Sequence, residues 1–364
     1  MTSPHRVPGA TPNRRTVLRY SGMAGAALGV GLFAGCAEDS PAGSDTNASR
    51  EATITIPRYE LHCHLDGSVR PDTVAALARE QGIALDKPVE QLVTAPPRCD
   101  SLKTFLGYID FPLQVLQTPD ALTRTARELV QDWHADGVVY GEVRFAPQLH
   151  GRNGMSIDDA VRAVAAGLAQ GRTDTSVRTG LLLCCLRHQS PDQSLAVAEA
   201  AVGNRGVVAG LDLAGDEAAY RAGIHREAFD LVHRAGVPAT VHAGEAAGAE
   251  SMWEAIDVLG ARRIGHGVRC VSDRALVERL RTERIALEMC PTSNVQTGAV
   301  AGLDAHPAVP LLGEGLTITI STDTRTTSAT TLRGEFQALR ANPKWAEPYE
   351  ALAQDNAAYA AFDH

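Results

Sequence analysis

From residue 54 onward, short apolar runs alternate eight times with longer segments of helical periodicity, and this alternation constrains the fold more than any other feature. The runs occupy residues 54–62, 138–145, 177–186, 207–213, 239–242, 263–266, 286–290 and 317–322. The segments between them carry clear end signals; Thr118-Pro119, for example, opens a helix that Gly137 closes. Strands separated by helices form a parallel sheet, and eight is the number that closes a (β/α)8 TIM barrel, so the fold class is α/β. An open doubly wound sheet is the competing architecture, but no Gly-rich phosphate loop follows the first strand. The long stretch between the first and second strands is expected to carry extra helices rather than a second domain. With 364 residues, 44% of them apolar, the chain can bury a core of that size.

The segment before the first strand reads as an address. Arg14 and Arg15 stand together in Asn-Arg-Arg-Thr-Val-Leu, and small and apolar residues run from Ser21 to Gly35 before Cys36. That run is too short and glycine-rich for a spanning helix of roughly 20 apolar residues. Residues 1–35 resemble a twin-arginine export signal, which implies an extracytoplasmic protein. Leu32-Phe33-Ala34-Gly35-Cys36 resembles a lipoprotein cleavage box, which would make Cys36 a lipid-anchored residue and the chain's one contact with a membrane. Phe33 stands where that pattern prefers Leu. Residues 36–52, rich in Ser, Ala, Asp, Gly and Asn, read as a flexible tether to a barrel over 53–364. The six further cysteines form no CxxC pair, and several lie in apolar runs, so buried thiols are expected rather than a disulfide framework.

Charge excludes one class of partner. Acidic residues outnumber basic ones 43 to 34, and aromatic content is 5%, so nothing invites a nucleic acid. Removing residues 1–35, which hold four arginines and no acid, takes the formal charge from −9 to −13.

The chemistry-bearing residues gather where strands end. Glu60-Leu61-His62-Cys63-His64-Leu65-Asp66-Gly67 follows the first run and His242-Ala243-Gly244-Glu245 the fifth. Gly265-His266-Gly267 follows the sixth, and Ser321-Thr322-Asp323 the eighth. In a barrel those ends form one face, so segments remote in sequence converge on a single pocket. Each cluster alone has a plain structural alternative. His62 and His64 alternate on a strand and so face one side, which suits a shared metal but also arises incidentally. His242 with Glu245 suits a buried hydrogen-bonded pair, His266 between glycines a structural turn, and Asp323 a helix cap. Their coincidence at four strand ends favours a metal-dependent active site.

These clusters, with Asp212-Leu213-Ala214-Gly215-Asp216-Glu217 and Cys290-Pro291-Thr292-Ser293-Asn294, resemble the adenosine deaminase family over about residues 60–336. The resemblance implies one Zn²⁺ per chain, held by His62, His64, His242 and Asp323. It implies that Glu245 handles the proton at purine N1 and that His266 orients and assists the attacking water. It also implies that Gly215 meets purine N3 through its backbone N–H and that Asp66 holds the ribose 5′-hydroxyl. The expected partner is a small 6-aminopurine nucleoside; the oligomeric state is left open.

Elementary chemistry agrees. Displacing an aromatic amine with water at neutral pH needs an activated nucleophile, and a bound divalent metal lowers the pKa of water to about 7. Attack at C6 puts negative charge on the ring unless N1 gains a proton, so a protonated carboxyl, here Glu245, is required. The sequence departs from the family at Thr324, where many members carry Asp or Asn toward purine N7; a Thr hydroxyl can donate only one such bond. The chain also stops soon after Asn356-Ala357-Ala358, so its last helix is expected to be short. Three rivals remain to be weighed. A binuclear hydrolase needs a Lys on the fourth strand, and 207–213 has none. A deaminase of adenine or of a modified adenosine would share the metal chemistry, though adenine deaminases tend to carry Glu where Asp66 stands. A catalytically inactive nucleoside-binding relative is the third.

Overall fold

The computed structural model describes residues 56–362. The twin-arginine-like segment, Cys36 and the tether lie outside the described residues. Eight strands follow in order: β1 (Arg58–His64), β2 (Val138–Phe145), β3 (Arg178–Leu186), β4 (Gly210–Ala214), β5 (Thr240–Ala243), β6 (Arg263–His266), β7 (Ala286–Met289) and β8 (Ile318–Ile320). They pair in parallel as two four-stranded arcs, β1-β2-β3-β4 and β5-β6-β7-β8. Two parallel bridges, Leu211 with Ala239 and Cys63 with Asp323, join the arcs into a cylinder. At the second seam, the His64 N–H donates to Asp323 O at 2.6 Å and the Asp323 N–H to His62 O at 2.8 Å. The expected (β/α)8 TIM barrel is the fold.

Strand limits differ from expectation where local hydrogen bonding intervenes. β1 runs from Arg58 past the end of its apolar run to His64, because Cys63 and His64 pair with Val143 and Arg144 of β2. β4 starts at Gly210 rather than 207, since the Val207 and Val208 N–H groups turn back to Asn204 O at 2.9 Å each. β8 ends at Ile320, and the chain then leaves ladder geometry: the Thr322 hydroxyl donates to Glu60 Oε2 at 2.8 Å, and Asp323 takes φ +61°.

The long β1–β2 connection folds as helices Pro71–Glu80, Val89–Val93, Leu102–Leu106, Asp110–Val115 and Pro119–Ala135 with two 3-10 turns. Thr118 Oγ1 accepts the Ala121 N–H at the start of the last of these, and Gly137 follows it with φ +81°, which L side chains rarely adopt. The twelve-residue helix Tyr349–Ala360 lies against β1 and β8, where Asn356 Nδ2 donates to Ile318 O at 3.0 Å. The six cysteines among the described residues are free and buried. No helix among them is long and apolar enough to cross a membrane.

The barrel interior is polar below the site. Arg144 donates to Asp212 Oδ2 at 3.2 Å and to Glu288 Oε2 at 2.8 Å, while Arg263 donates to Glu288 Oε1 at 2.6 Å and also pairs with Glu142. All five side chains are buried, and such groups are tolerated only when paired and hydrogen-bonded.

Candidate active site

The C-terminal ends of β1, β5 and β6, with the turn after β8, bring five metal-competent groups together. One ligand atom each from His62, His242, His266 and Asp323 lie within 4.8 Å of one another. His64 joins them: its Nε2 lies 3.1 Å from His242 Nε2 and 3.4 Å from Asp323 Oδ1. The expected quartet of His62, His64, His242 and Asp323 is therefore assembled, with His266 as a fifth neighbour. His266 and Asp323 both have φ near +60°, at +62° and +61°. For non-glycine residues this region costs of order 1–3 kcal/mol and is held only where the surroundings over-determine it.

Carboxylates behind the imidazoles decide which ring nitrogens face the cluster. His62 Nδ1 lies 2.8 Å from Glu288 Oε2, and His242 Nδ1 lies 3.1 Å from Asp212 Oδ1. Carboxylates only accept, so both Nδ1 atoms donate and, in the neutral rings, both Nε2 atoms are bare. His62 Nε2 is buried without a hydrogen-bond partner, 3.4 Å from Asp323 Oδ1. Asp323 Oδ2 is occupied by the Ser293 hydroxyl at 2.6 Å, which leaves Oδ1 toward the imidazoles. Bare nitrogens converging on a carboxylate oxygen fit a divalent cation, and an N/O donor set of this kind suits zinc.

Beside this cluster lies a cavity of ≈ 400 Å³, in the usual range for a small-molecule site. His64, Asp66, Gly215, His242, Glu245, His266, Asp323 and Thr324 all line it; His62 lies buried beneath. The helix Leu102–Leu106 contributes Leu102, Phe105 and Leu106 to the apolar wall. Gly215 has φ +100°, which excludes a side chain there on conformational grounds. Burial pushes the Asp66 carboxyl up to about 6. Glu245 is raised well above the usual carboxylate range, first by burial and then by the negative charges of Asp323 and Glu217. Its Oε1 is buried without a partner, and its Oε2 lies 3.5 Å from His266 Nε2. Thr324 Oγ1 lies 3.0 Å from Ser328 Oγ, and the Thr324 methyl fills the space that a side chain at Gly67 would need.

Several residues that build the site carried no role in the sequence reading. Glu217 accepts four backbone N–H groups, from Gly244 at 2.6 Å, Glu245 at 2.9 Å, Ala246 at 2.6 Å and Ala247 at 3.0 Å, and so clamps the loop that carries Glu245. Asp212 and Glu217 stood in a quoted motif, but nothing local told which group either would hold. Glu288 and Arg144 did leave a signal: each is a charged residue inside a run that otherwise reads as a buried strand.

The chain matches the family model described as adenosine deaminase over residues 57–364. It is 40% identical to the adenosine deaminase of Enterococcus faecalis over 289 residues, spanning 78% of this chain and 85% of that one. Among solved structures, adenine deaminase from Arthrobacter aurescens superposes with a TM-score of 0.80 at 30% identity, covering 85% of this chain and 95% of that one. The N6-methyl-AMP deaminase of Arabidopsis thaliana gives 0.74 at 27% identity, with 85% and 93% covered. A barrel whose strand ends gather imidazoles, a carboxylate and a buried acid, with this extent of likeness, permits one conclusion: the chain belongs to the adenosine deaminase family and is a metal-dependent hydrolytic deaminase.

Proposed function

We propose that the chain deaminates a 6-aminopurine nucleoside, adenosine or 2′-deoxyadenosine, to the 6-oxo nucleoside and ammonia. The observation that carries this reading is Glu245: a buried acid, whose burial favours the protonated form, in the same cavity as a metal-competent cluster. One Zn²⁺ held by His62, His64, His242 and Asp323 would supply an activated water at neutral pH. Glu245 delivers its proton to purine N1 as water adds at C6, so no charge accumulates on the ring; of the water's two hydrogens, one leaves on the amino group as ammonia and the other restores the Glu245 carboxyl as C6 becomes a carbonyl. His266 orients the water from the neighbouring strand. The Gly215 N–H meets N3, Thr324 donates to N7, and Asp66 receives the ribose 5′-hydroxyl. Asp66 also separates nucleoside from nucleotide, because a 5′-phosphate at that end would meet a carboxylate rather than a cation.

Adenine and N6-methyl-AMP are the substrates in the names of two structural relatives, so a panel with adenosine, 2′-deoxyadenosine, adenine and N6-methyl-AMP tests the reading. Adenosine should show the largest kcat/KM. Glu245→Gln should keep the metal yet lose several orders of magnitude in kcat, since an amide cannot donate that proton. Preference for adenine or for the nucleotide, or near wild-type kcat in Glu245→Gln, would overturn it.

We propose also that residues 1–35 direct export and that Cys36 anchors the mature protein to a membrane. The paired Arg14 and Arg15 and the box ending at Cys36 support this. Cell fractionation of Arg14→Lys with Arg15→Lys should show the protein retained in the cytoplasm; unchanged export would refute it.

A further inference from the structure

Behind His266 runs a line of hydrogen bonds whose direction can be read from one end to the other. The Ala308 N–H meets His306 Nδ1 at 3.1 Å, and His306 Nε2 lies 3.2 Å from Asn294 Oδ1. Asn294 Nδ2 lies 3.0 Å from His266 Nδ1, and His266 Nε2 faces Glu245 Oε2 at 3.5 Å. The first member cannot reverse. A peptide N–H only donates, so His306 Nδ1 is bare and the ring hydrogen sits on Nε2. That hydrogen goes to Asn294 Oδ1, which also accepts the Cys290 N–H at 3.3 Å. With two donors on its oxygen, the Asn294 amide has one orientation, and its NH₂ must point at His266. A donor aimed at His266 Nδ1 excludes a hydrogen there.

We propose that Asn294 and His306 are positioning residues that hold His266 as its Nε2–H tautomer and so keep it out of the metal-ligand set. The inference rests on the deaminase reading of the site. Its physical content is a contrast within one cluster. His62 and His242 have carboxylates at Nδ1, which leave Nε2 bare and able to ligate. His266 has an amide donor at Nδ1, which puts a hydrogen on Nε2 and removes that lone pair. Five convergent groups thus become four ligands and one hydrogen-bond donor, without any difference in how close the rings lie. His266 consequently enters the reaction as a donor that orients the water's oxygen, with no bare nitrogen to take a proton from it in the resting site.

Asn294→Asp tests this because it preserves shape and reverses the demand. A carboxylate still accepts from Cys290 and His306 but offers His266 Nδ1 no hydrogen, which drives that ring to its Nδ1–H form. The measurement is nitrogen NMR of zinc-loaded, ¹⁵N-histidine-labelled enzyme, with His266→Gln identifying the signal, beside steady-state kinetics. Wild type should show Nε2–H at His266. Asn294→Asp should show Nδ1–H, with kcat lower by about 10²- to 10³-fold, KM within about threefold, and about one zinc per chain retained. As a second variant in case the first folds poorly, His306→Gln, whose amide can donate to Asn294 Oδ1, should recover most of the kcat that His306→Leu loses. Nδ1–H in the wild type overturns the proposal, as does an Asn294→Asp enzyme that keeps both the Nε2–H form and its kcat. A wild type with the Nε2–H form that turns over no purine leaves the tautomer assignment standing and removes the functional reading instead.

Discussion

At the scale of single residues, the site works by giving similar side chains opposite tasks. Asp323 and Glu245 are both buried carboxyls in one cavity, yet imidazoles surround the first, while the second faces burial and two negative charges. Thr324 lines the cavity just after Asp323. Its methyl packs against Gly67 and its hydroxyl against Ser328, so the hydroxyl is fixed rather than free to rotate outward. If it donates to purine N7, Thr324→Val, which keeps the shape, leaves that acceptor unmatched at about 1–3 kcal/mol. The expected result is a 10- to 100-fold loss in kcat/KM for adenosine, where about 1.4 kcal/mol is tenfold. An analogue with carbon in place of N7 should be turned over equally by both enzymes. Equal loss on both substrates would show that the hydroxyl acts on packing and does not read N7.

At the scale of elements, short helices and loops after the strands are held by acids that reach across the sequence. Glu217 clamps the Glu245 loop, and Glu335 performs the same task for the helix Pro291–Gln296, where its Oε2 accepts the Thr292 N–H at 2.9 Å. That helix carries Ser293 and Asn294, so Glu335 supports both Asp323 and His266 at one remove. Burial raises Glu335 from an ordinary carboxyl to about 7. A carboxyl raised in the folded state binds its proton more tightly there than when unfolded. Its contribution to stability is therefore full below about pH 4.5 and is lost as pH rises through about 7. Glu335→Gln can still accept from Thr292 but cannot ionise, so its stability relative to wild type should improve from about pH 4.5 to about pH 7 and level off above that. Urea unfolding at several pH values measures this; a constant difference between the two proteins would contradict it.

At the scale of the whole molecule, Arg144 of β2 ties the two four-stranded arcs together across the barrel interior, through Asp212 of β4 and Glu288 of β7. This guanidinium bridges Asp212, which orients His242, and Glu288, which orients His62. Removing it leaves two buried carboxylates without their shared cation. Breaking such a pair costs about 3–5 kcal/mol, and disturbing the partners of ligating histidines weakens metal binding by about 10- to 100-fold. Arg144→Met is accordingly expected to lose its bound metal to a competing chelator at roughly tenfold lower chelator concentration and to unfold at lower urea. Wild-type metal affinity in a variant that folds would separate the interior network from the metal site.

What the sequence determined by itself was whatever depends on local pattern. Eight apolar runs separated by helical segments dictate a closed parallel barrel, and four motifs at the run ends place the imidazoles and acids on one face. The helix from Thr118 to Gly137 was legible because its cap and its stop are adjacent to it in the chain. The limits of β1, β4 and β8 were not, because they depend on partners more than 70 residues away or on competing turns. Only the tertiary structure decided the direction of each hydrogen in the site. A histidine reads identically in sequence whether Glu288, Asp212 or Asn294 stands behind it, and those neighbours come from other strands and loops. The surroundings that set such side chains apart are thus long-range contacts that periodicity cannot encode, since hydrogen-bond direction belongs to pairs of groups rather than to single residues.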